Sequence, residues 1–173
     1  FFFHAQAGIR DFCLSRGLGD VYKRQQINSK ITNIELSKVI GLSAAPTLGR
    51  VQKLEKSGLI ESYHAVINNS KLGLGFTALI HLSLIKQKTG TVANFLEQIQ
   101  EVNEVKECLQ LTGKFDYQLR VITNDIPSFE KILEEKLGLI EEIGQLQTSV
   151  VIAIKKDSKV APLNYAKELI LNS

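Results

Sequence analysis

Between residues 76 and 154 the hydrophobic period of the chain switches repeatedly between two and about 3.6, and this alternation restricts the possible folds more than any other feature. Residues 76–85 alternate as a strand and residues 91–100 as an amphipathic helix. Residues 105–111 and 117–122 are two strands around the turn "TGKFD". Residues 126–137 then form a second helix, and residues 147–154 a last strand. The order β-α-β-β-α-β predicts an antiparallel four-stranded sheet with both helices on one face, the ferredoxin-like arrangement. The other face of such a sheet needs cover. Alternating residues Ile80, Leu82, Leu84 and Val150, Ile152, Ile154 are expected to supply apolar side chains to that second face, where another copy of the chain is the economical partner.

Upstream the pattern is helical. In "TNIELSKVIGLS" the polar pair Thr32-Asn33 supplies N-cap oxygens, Ile34, Leu36, Val39 and Ile40 give an apolar face, and Gly41 permits the positive φ that ends a helix. Ser43 is then a new N-cap. Pro46 falls in a first turn, where its missing N–H costs little, and a second helix runs to Gly58. Two helices joined by a glycine turn have the spacing of a helix-turn-helix, whose second helix enters the DNA major groove. With Leu48, Val51 and Leu54 pointing inward, Ala45, Pro46, Gly49, Arg50, Gln52 and Lys53 fall on or near the outer arc. Arg50 and Lys53 suit phosphates or a guanine edge, and Gln52 suits a base edge. Residues 59–67, rich in β-branched and aromatic side chains, predict a short ribbon or wing, and residues 68–75 a linker. The predicted architecture is therefore α+β: a winged helix-turn-helix domain over residues 26–67, the linker, a ferredoxin-like domain over residues 76–156, and a tail over residues 157–173.

Charge fits this division weakly. Residues 30–67 carry five basic and three acidic side chains, against nine and eleven in residues 68–155. A mildly basic front suits a nucleic-acid partner, although many soluble domains carry as much. Cys13 and Cys108 lack a pairing pattern, which points to neither a disulfide nor zinc, and Cys108 is expected to be a small core residue. No apolar run approaches the roughly 20 residues of a membrane span. The three histidines have no spaced partners, so neither a catalytic constellation nor a metal or cofactor site is expected. In the hairpin "LTGKFDY", residues 111–117, Gly113 permits close backbone approach and Asp116 could receive an ammonium group, while an ordinary turn explains the same residues.

Residues 1–25 stand apart. They begin with Phe1-Phe2-Phe3, show no helical or strand period, and end in "DVYKRQ". That hexapeptide back-translates to GAT GTG TAT AAG AGA CAG, a string resembling the transposon mosaic end used to fragment DNA for sequencing. Residues 1–25 are thus expected to be a non-native, poorly ordered leader, with native sequence starting near Gln26.

Taken together, "ITNIELSKVIGLSAAPTLGRVQKLEKSGLIESYHAVIN", "VKECLQLTGKFDYQLRV" and "TSVVIAI" resemble the Lrp/AsnC family of leucine- and asparagine-responsive regulators, over roughly residues 29–155. The resemblance implies a cytoplasmic, non-enzymatic transcription regulator without a cofactor. It implies binding to double-stranded DNA, dimerisation through the ferredoxin-like sheets, often four dimers in an octameric ring, and a small amino acid as effector. By position it places Ser43, Arg50, Gln52 and Lys53 in the recognition helix. It places Gly113, Lys114, Phe115, Asp116 and Tyr117 in the effector hairpin, with Thr148 and Ser149 as further effector contacts. Three departures stand out: the family's first helix is expected to be missing, which leaves the DNA-binding domain incomplete; Lys114 occupies a position often acidic and Leu146 one where threonine is frequent; and Ala45, Pro46 and Gly49 offer no side-chain hydrogen bonds to bases. A second function is compatible with the same residues, a ligand-sensing and oligomerisation module with little DNA binding.

Overall fold

The computed structural model describes residues 16–158, 160 and 161, in two compact units. The first unit runs to Val66 and resumes from Lys156, and the second is Ile67–Lys155. Residues 1–15 of the expected leader, and the tail from residue 162 with residue 159, lie outside the described residues.

Three helices make the first unit: α1 (Arg16–Ile27), α2 (Asn33–Ile40) and α3 (Ala44–Lys56). Its core is the fully buried trio Val21, Leu36 and Leu54, with Tyr22, Ile31, Ile40, Val51 and Ile60 packed around it. Residues 16–25 therefore depart from the aperiodic, poorly ordered segment expected of them. Among the described side chains, Val21 and the partly buried Tyr22 hold α1 through tertiary packing, because most helical stability in proteins comes from a buried face rather than from propensity.

The start and stop of α2 agree with the sequence reading. Thr32 Oγ1 accepts from the Glu35 N–H at 3.2 Å while the Thr32 N–H donates to Glu35 Oε2 at 3.0 Å, a reciprocal box that satisfies two otherwise orphaned donors. The Thr32 N–H and the Thr32 hydroxyl, which donates to Glu35 Oε2 at 2.8 Å, hold the Glu35 carboxyl below its ordinary pKa. Gly41 closes the helix at φ 70°. The inward faces differ from expectation. Leu36 and Ser37 are buried in α2, whereas Ile34 and Val39 are exposed. In α3 the buried stripe is Thr47 and Leu54, with Val51 half-buried, and Leu48 is 47% exposed. Positions 47, 51 and 54 follow the i, i+4, i+7 spacing of a 3.6-residue turn, while a strict three-residue spacing drifts off the face. Thr47 tolerates burial because its hydroxyl donates to the Ser43 carbonyl at 2.9 Å.

Residues 59–67 form no paired ribbon: beyond Gly58 they run as irregular chain, exposed apart from the half-buried Ile60. The linker contains a single 3-10 turn, Asn69–Leu72, capped by the Asn68 side chain.

The second unit contains β1 (Phe76–Leu84), α4 (Thr89–Gln100), β2 (Val105–Gln110), β3 (Tyr117–Thr123), α5 (Ile126–Glu135), a 3-10 turn (Leu137–Leu139) and β4 (Ile143–Val150). The sheet order is β2-β3-β1-β4 with all pairs antiparallel, the predicted ferredoxin-like topology. The last strand begins and ends four residues earlier than the apolar run suggested. β1 begins at Phe76, and past the pair Ala78↔Val150 only the Val151 N–H still reaches it, at the Thr77 carbonyl. Ile152 and Ile154 lie beyond the strand and are exposed.

Alternation along β1 buries Ala78, Ile80, Leu82 and Leu84 in one cluster with Phe95 and Ile99 of α4 and Phe129 and Ile132 of α5. Ile80, Leu82 and Leu84 thus belong to the helix-covered core and not to the second face. Strand register places Thr77, Leu79, His81 and Ser83 on that second face, beside Gln118 and Arg120 of β3 and Gln145, Gln147 and Ser149 of β4. Period two announces two faces without saying which one the helices cover.

Candidate functional site

The first candidate surface is the outer arc of α3. Asn33, the first residue of α2, donates from Nδ2 to the Ala44 carbonyl at 2.8 Å and so ties the two helix starts together. Ser43 takes the N-cap position, but its side chain makes no capping bond, and its carbonyl is engaged by Thr47. Gln52 and Lys53 project from the exposed arc together with Ala45, Pro46 and Leu48. Arg50 departs from the expected arc. It is half-buried at the flank of the Thr47–Leu54 stripe, and its Nη1 is enclosed with no hydrogen-bond partner. Three donors or acceptors, Ser43, Gln52 and Lys53, therefore face solvent, among side chains that offer no hydrogen bonds.

The second candidate is the hairpin between β2 and β3. Gly113 sits at φ 118°, in the left-handed region that favours glycine, and Lys114 is exposed with Nζ 5.1 Å from the Phe115 ring centroid. Phe115 leans against His81, centroids 5.7 Å apart, and His81 Nε2 lies 3.0 Å from Gln118 Oε1. The hairpin is fastened to the end of β1: the Asp116 N–H donates to the Leu82 carbonyl at 2.9 Å, and Ser83 Oγ donates to the Lys114 carbonyl at 3.3 Å. The Asp116 carboxylate is already engaged. Its Oδ2 accepts from the Leu84 N–H at 2.8 Å and its Oδ1 from Gln87 Nε2 at 2.5 Å.

Tyr117 is placed differently from its hairpin neighbours. It is buried against Phe95, centroids 4.9 Å apart, and burial, reinforced by Cys108 and Asp116, pushes its hydroxyl pKa up. Thr148 and Ser149 pair with Ile80 and Leu79, further along β1 than the Leu82–Leu84 end that carries the hairpin. Strand spacing puts β4 roughly 10 Å from β3 across the sheet. Thr148 and Ser149 thus do not meet the hairpin within one copy of the chain.

Sequence reasoning missed Gln87, which carries no motif and reaches Asp116 across 29 residues. It also missed the second role of Asn33, read as a cap alone. A groove of about 980 Å³ lies elsewhere, in the first unit, between the end of α1 and residues 59–66, and none of the predicted site residues lines it. Among the described residues no group of His, Cys, Asp or Glu is arranged to hold a metal ion, and no helix is long and apolar enough to cross a membrane.

Comparison with known proteins agrees with both units. Residues 25–61 match the profile of a winged helix-turn-helix DNA-binding domain, and residues 77–161 that of the Lrp/AsnC ligand binding domain. Transcriptional regulator AzlB of Bacillus subtilis is 32% identical over 139 residues, covering 80% of this chain and 88% of that protein. The leucine-responsive regulatory protein of Haemophilus influenzae is 35% identical over 127 residues, covering 73% and 76%. Among solved structures, the Neisseria meningitidis transcriptional regulator NMB0573 in complex with L-Met superimposes with a TM-score of 0.84 at 28% identity, over 88% of this chain and 98% of that one.

Proposed function

Because this chain belongs to the Lrp/AsnC family, we propose that it is a transcription regulator that binds double-stranded DNA through its first unit and an amino acid, or a similar small effector, through its second. The observation that carries this reading is the union in one chain of a helix-turn-helix whose α3 exposes Gln52 and Lys53 with a ferredoxin-like sheet bearing the Gly113 hairpin. α3 lies in the major groove. There Lys53 and Ser43 contact phosphates and Gln52 a base edge, and Arg50 acts once its half-buried side chain swings outward. Ala45, Pro46, Leu48 and Gly49 offer no hydrogen bonds to bases, so part of the specificity comes from DNA shape.

The effector is a small amino acid of the kind seen with the Neisseria regulator, held by Gly113, Lys114, Phe115 and Asp116. Thr148 and Ser149 contribute from a second copy, since within one copy they are too far from the hairpin, and Tyr117 supports the hairpin from the core. The assembly is a homodimer through the open sheet faces, with four dimers forming an octamer, in the cytoplasm. The chain catalyses no reaction and needs no cofactor. DNA binding belongs to residues 26–67, the linker to 68–75, effector binding to 76–156 and the tail to 157–173. Residues 1–25 are a leader, whose last part supplies only a packing helix.

Fluorescence anisotropy with a duplex from the regulator's own upstream region, against a scrambled duplex of equal length, tests the reading. Binding that prefers the first duplex and weakens steeply with salt is expected. Equal binding to both duplexes, or none at low salt, would overturn it.

A further inference from the structure

Asp116 is the one carboxylate of the effector hairpin, yet both of its oxygens are occupied, and by unequal partners. The Leu84 N–H is part of the sheet and cannot leave without breaking the β1 end. Gln87 is an exposed residue of the irregular segment between β1 and α4, and its amide reaches Oδ1 through a flexible side chain. The segment itself is anchored just before Gln87, where the Ile85 N–H donates to the Glu142 carbonyl at 2.9 Å. Gln87 can therefore swing away while the strand end stays fixed.

We infer that Gln87 is a gate on the effector site: its side-chain amide occupies the Asp116 oxygen that an α-ammonium group would take, and an amino acid binds by displacing it. A neutral amide satisfies Oδ1 in the empty state, which spares the half-buried carboxylate an open acceptor site. A charged ammonium makes the stronger bond to a carboxylate, so the exchange favours the ligand, but only by the difference between the two bonds. Gln87 thereby weakens binding of every ligand carrying the ammonium and leaves a ligand without it untouched. Its role is to position and compete, and it sets both the affinity and the preference for an amine. This inference rests on the reading of the hairpin as an effector site.

The test is calorimetric titration of the full chain with L-methionine, L-leucine and L-asparagine, each beside its deaminated carboxylic acid. Gln87→Ala should raise affinity for the amino acids about tenfold, the order expected when one competing hydrogen bond is removed, and leave the deaminated acids within about twofold. Gln87→Lys, which places a permanent ammonium against Asp116, should lower amino-acid affinity by a similar factor. In the pair Gln87→Ala with Asp116→Asn the gain should vanish. A residue with only a structural role would shift both ligand classes together and would give Gln87→Ala and Gln87→Lys the same sign.

Equal changes for amino and deaminated ligands, or loss of affinity in Gln87→Ala with circular dichroism unchanged, overturns the gate while effector binding stands. Absence of binding to the parent chain and to Gln87→Ala alike overturns both the gate and the effector reading. Binding seen only after Gln87→Ala supports the gate directly.

Discussion

Side chains on α3 divide sharply by what each one touches. Thr47 is fully buried with its hydroxyl spent on the Ser43 carbonyl, while its neighbour Leu48 stands in solvent. Thr47→Gln would bury an amide that has no partner and should cost about 2 kcal/mol in chemical denaturation of the first unit. Leu48→Gln should stay within about 0.5 kcal/mol. The reverse order would restore the register predicted from sequence and refute the observed one. On the outer arc, Lys53→Ala should weaken all duplexes alike and lower the log–log salt slope by about 1. Gln52→Ala should instead relax preference at one base pair, by about 1–3 kcal/mol. Anisotropy titrations at several salt concentrations separate the two, and a uniform loss from Gln52→Ala would remove it from base readout.

Helices and strands show how far sequence reaches. The N-cap of α2, the glycine stop at Gly41 and the four strands were all legible, because each rests on local chemistry or on period. The covered side of the sheet was not, because Leu79 and Ile80 alternate equally well and only the path of α4 and α5 decides between them. The ribbon expected over residues 59–67 is unpaired for a related reason: β-branched content signals a tolerance for extended chain, and pairing needs a partner that is absent among the described residues. Of the candidate site, the hairpin glycine and aspartate were legible as a turn, whereas the bond from Gln87 depends on a long-range approach.

Helix α1 was illegible because "RGLGDVYKRQQI" contains two glycines and, among its described side chains, only Val21 is fully buried. Val21→Ala should destabilise the first unit by roughly 2 kcal/mol, the loss of two buried methyl equivalents plus a cavity. A neutral result would show that Val21 contributes nothing to it. Caps also predict a pH response. Asp125 at the start of α5 accepts from Ser128, whose side-chain and backbone donors hold its carboxyl below the ordinary pKa. A depressed carboxyl stabilises the fold above its unfolded pKa and loses that contribution as pH falls through the folded value. The melting temperature of Asp125→Ala should therefore lie below that of the parent at neutral pH, and the gap should close as the pH drops below the carboxylate range. A gap that persists at acid pH would mean the carboxylate charge is not what caps α5.

Both units are joined by two stretches of one chain, at Val66–Ile67 and again at Lys155–Lys156. After β4 the chain returns to the first unit, where the Ala161 N–H donates to Gln26 Oε1 at 2.6 Å. The effector-binding unit is in this sense an insertion into the DNA-binding one. An effector changes DNA affinity only through a difference in its own affinity between states, so whatever it alters in the second unit must be transmitted through connections or through assembly. Two tethers constrain the ends of the inserted unit more than one. A chain ending at Lys155 should lower the unfolding midpoint of the first unit and leave that of the second unchanged. Gln26→Ala should reproduce part of the loss, about 1 kcal/mol for one hydrogen bond. The same shortened chain, titrated with DNA in the presence and absence of L-methionine, should show a smaller ratio of the two affinities than the parent. If the ratio is unchanged while the midpoint falls, the returning segment stabilises the DNA-binding unit without carrying the signal, and transmission belongs to the Val66–Ile67 connection or to contacts between copies.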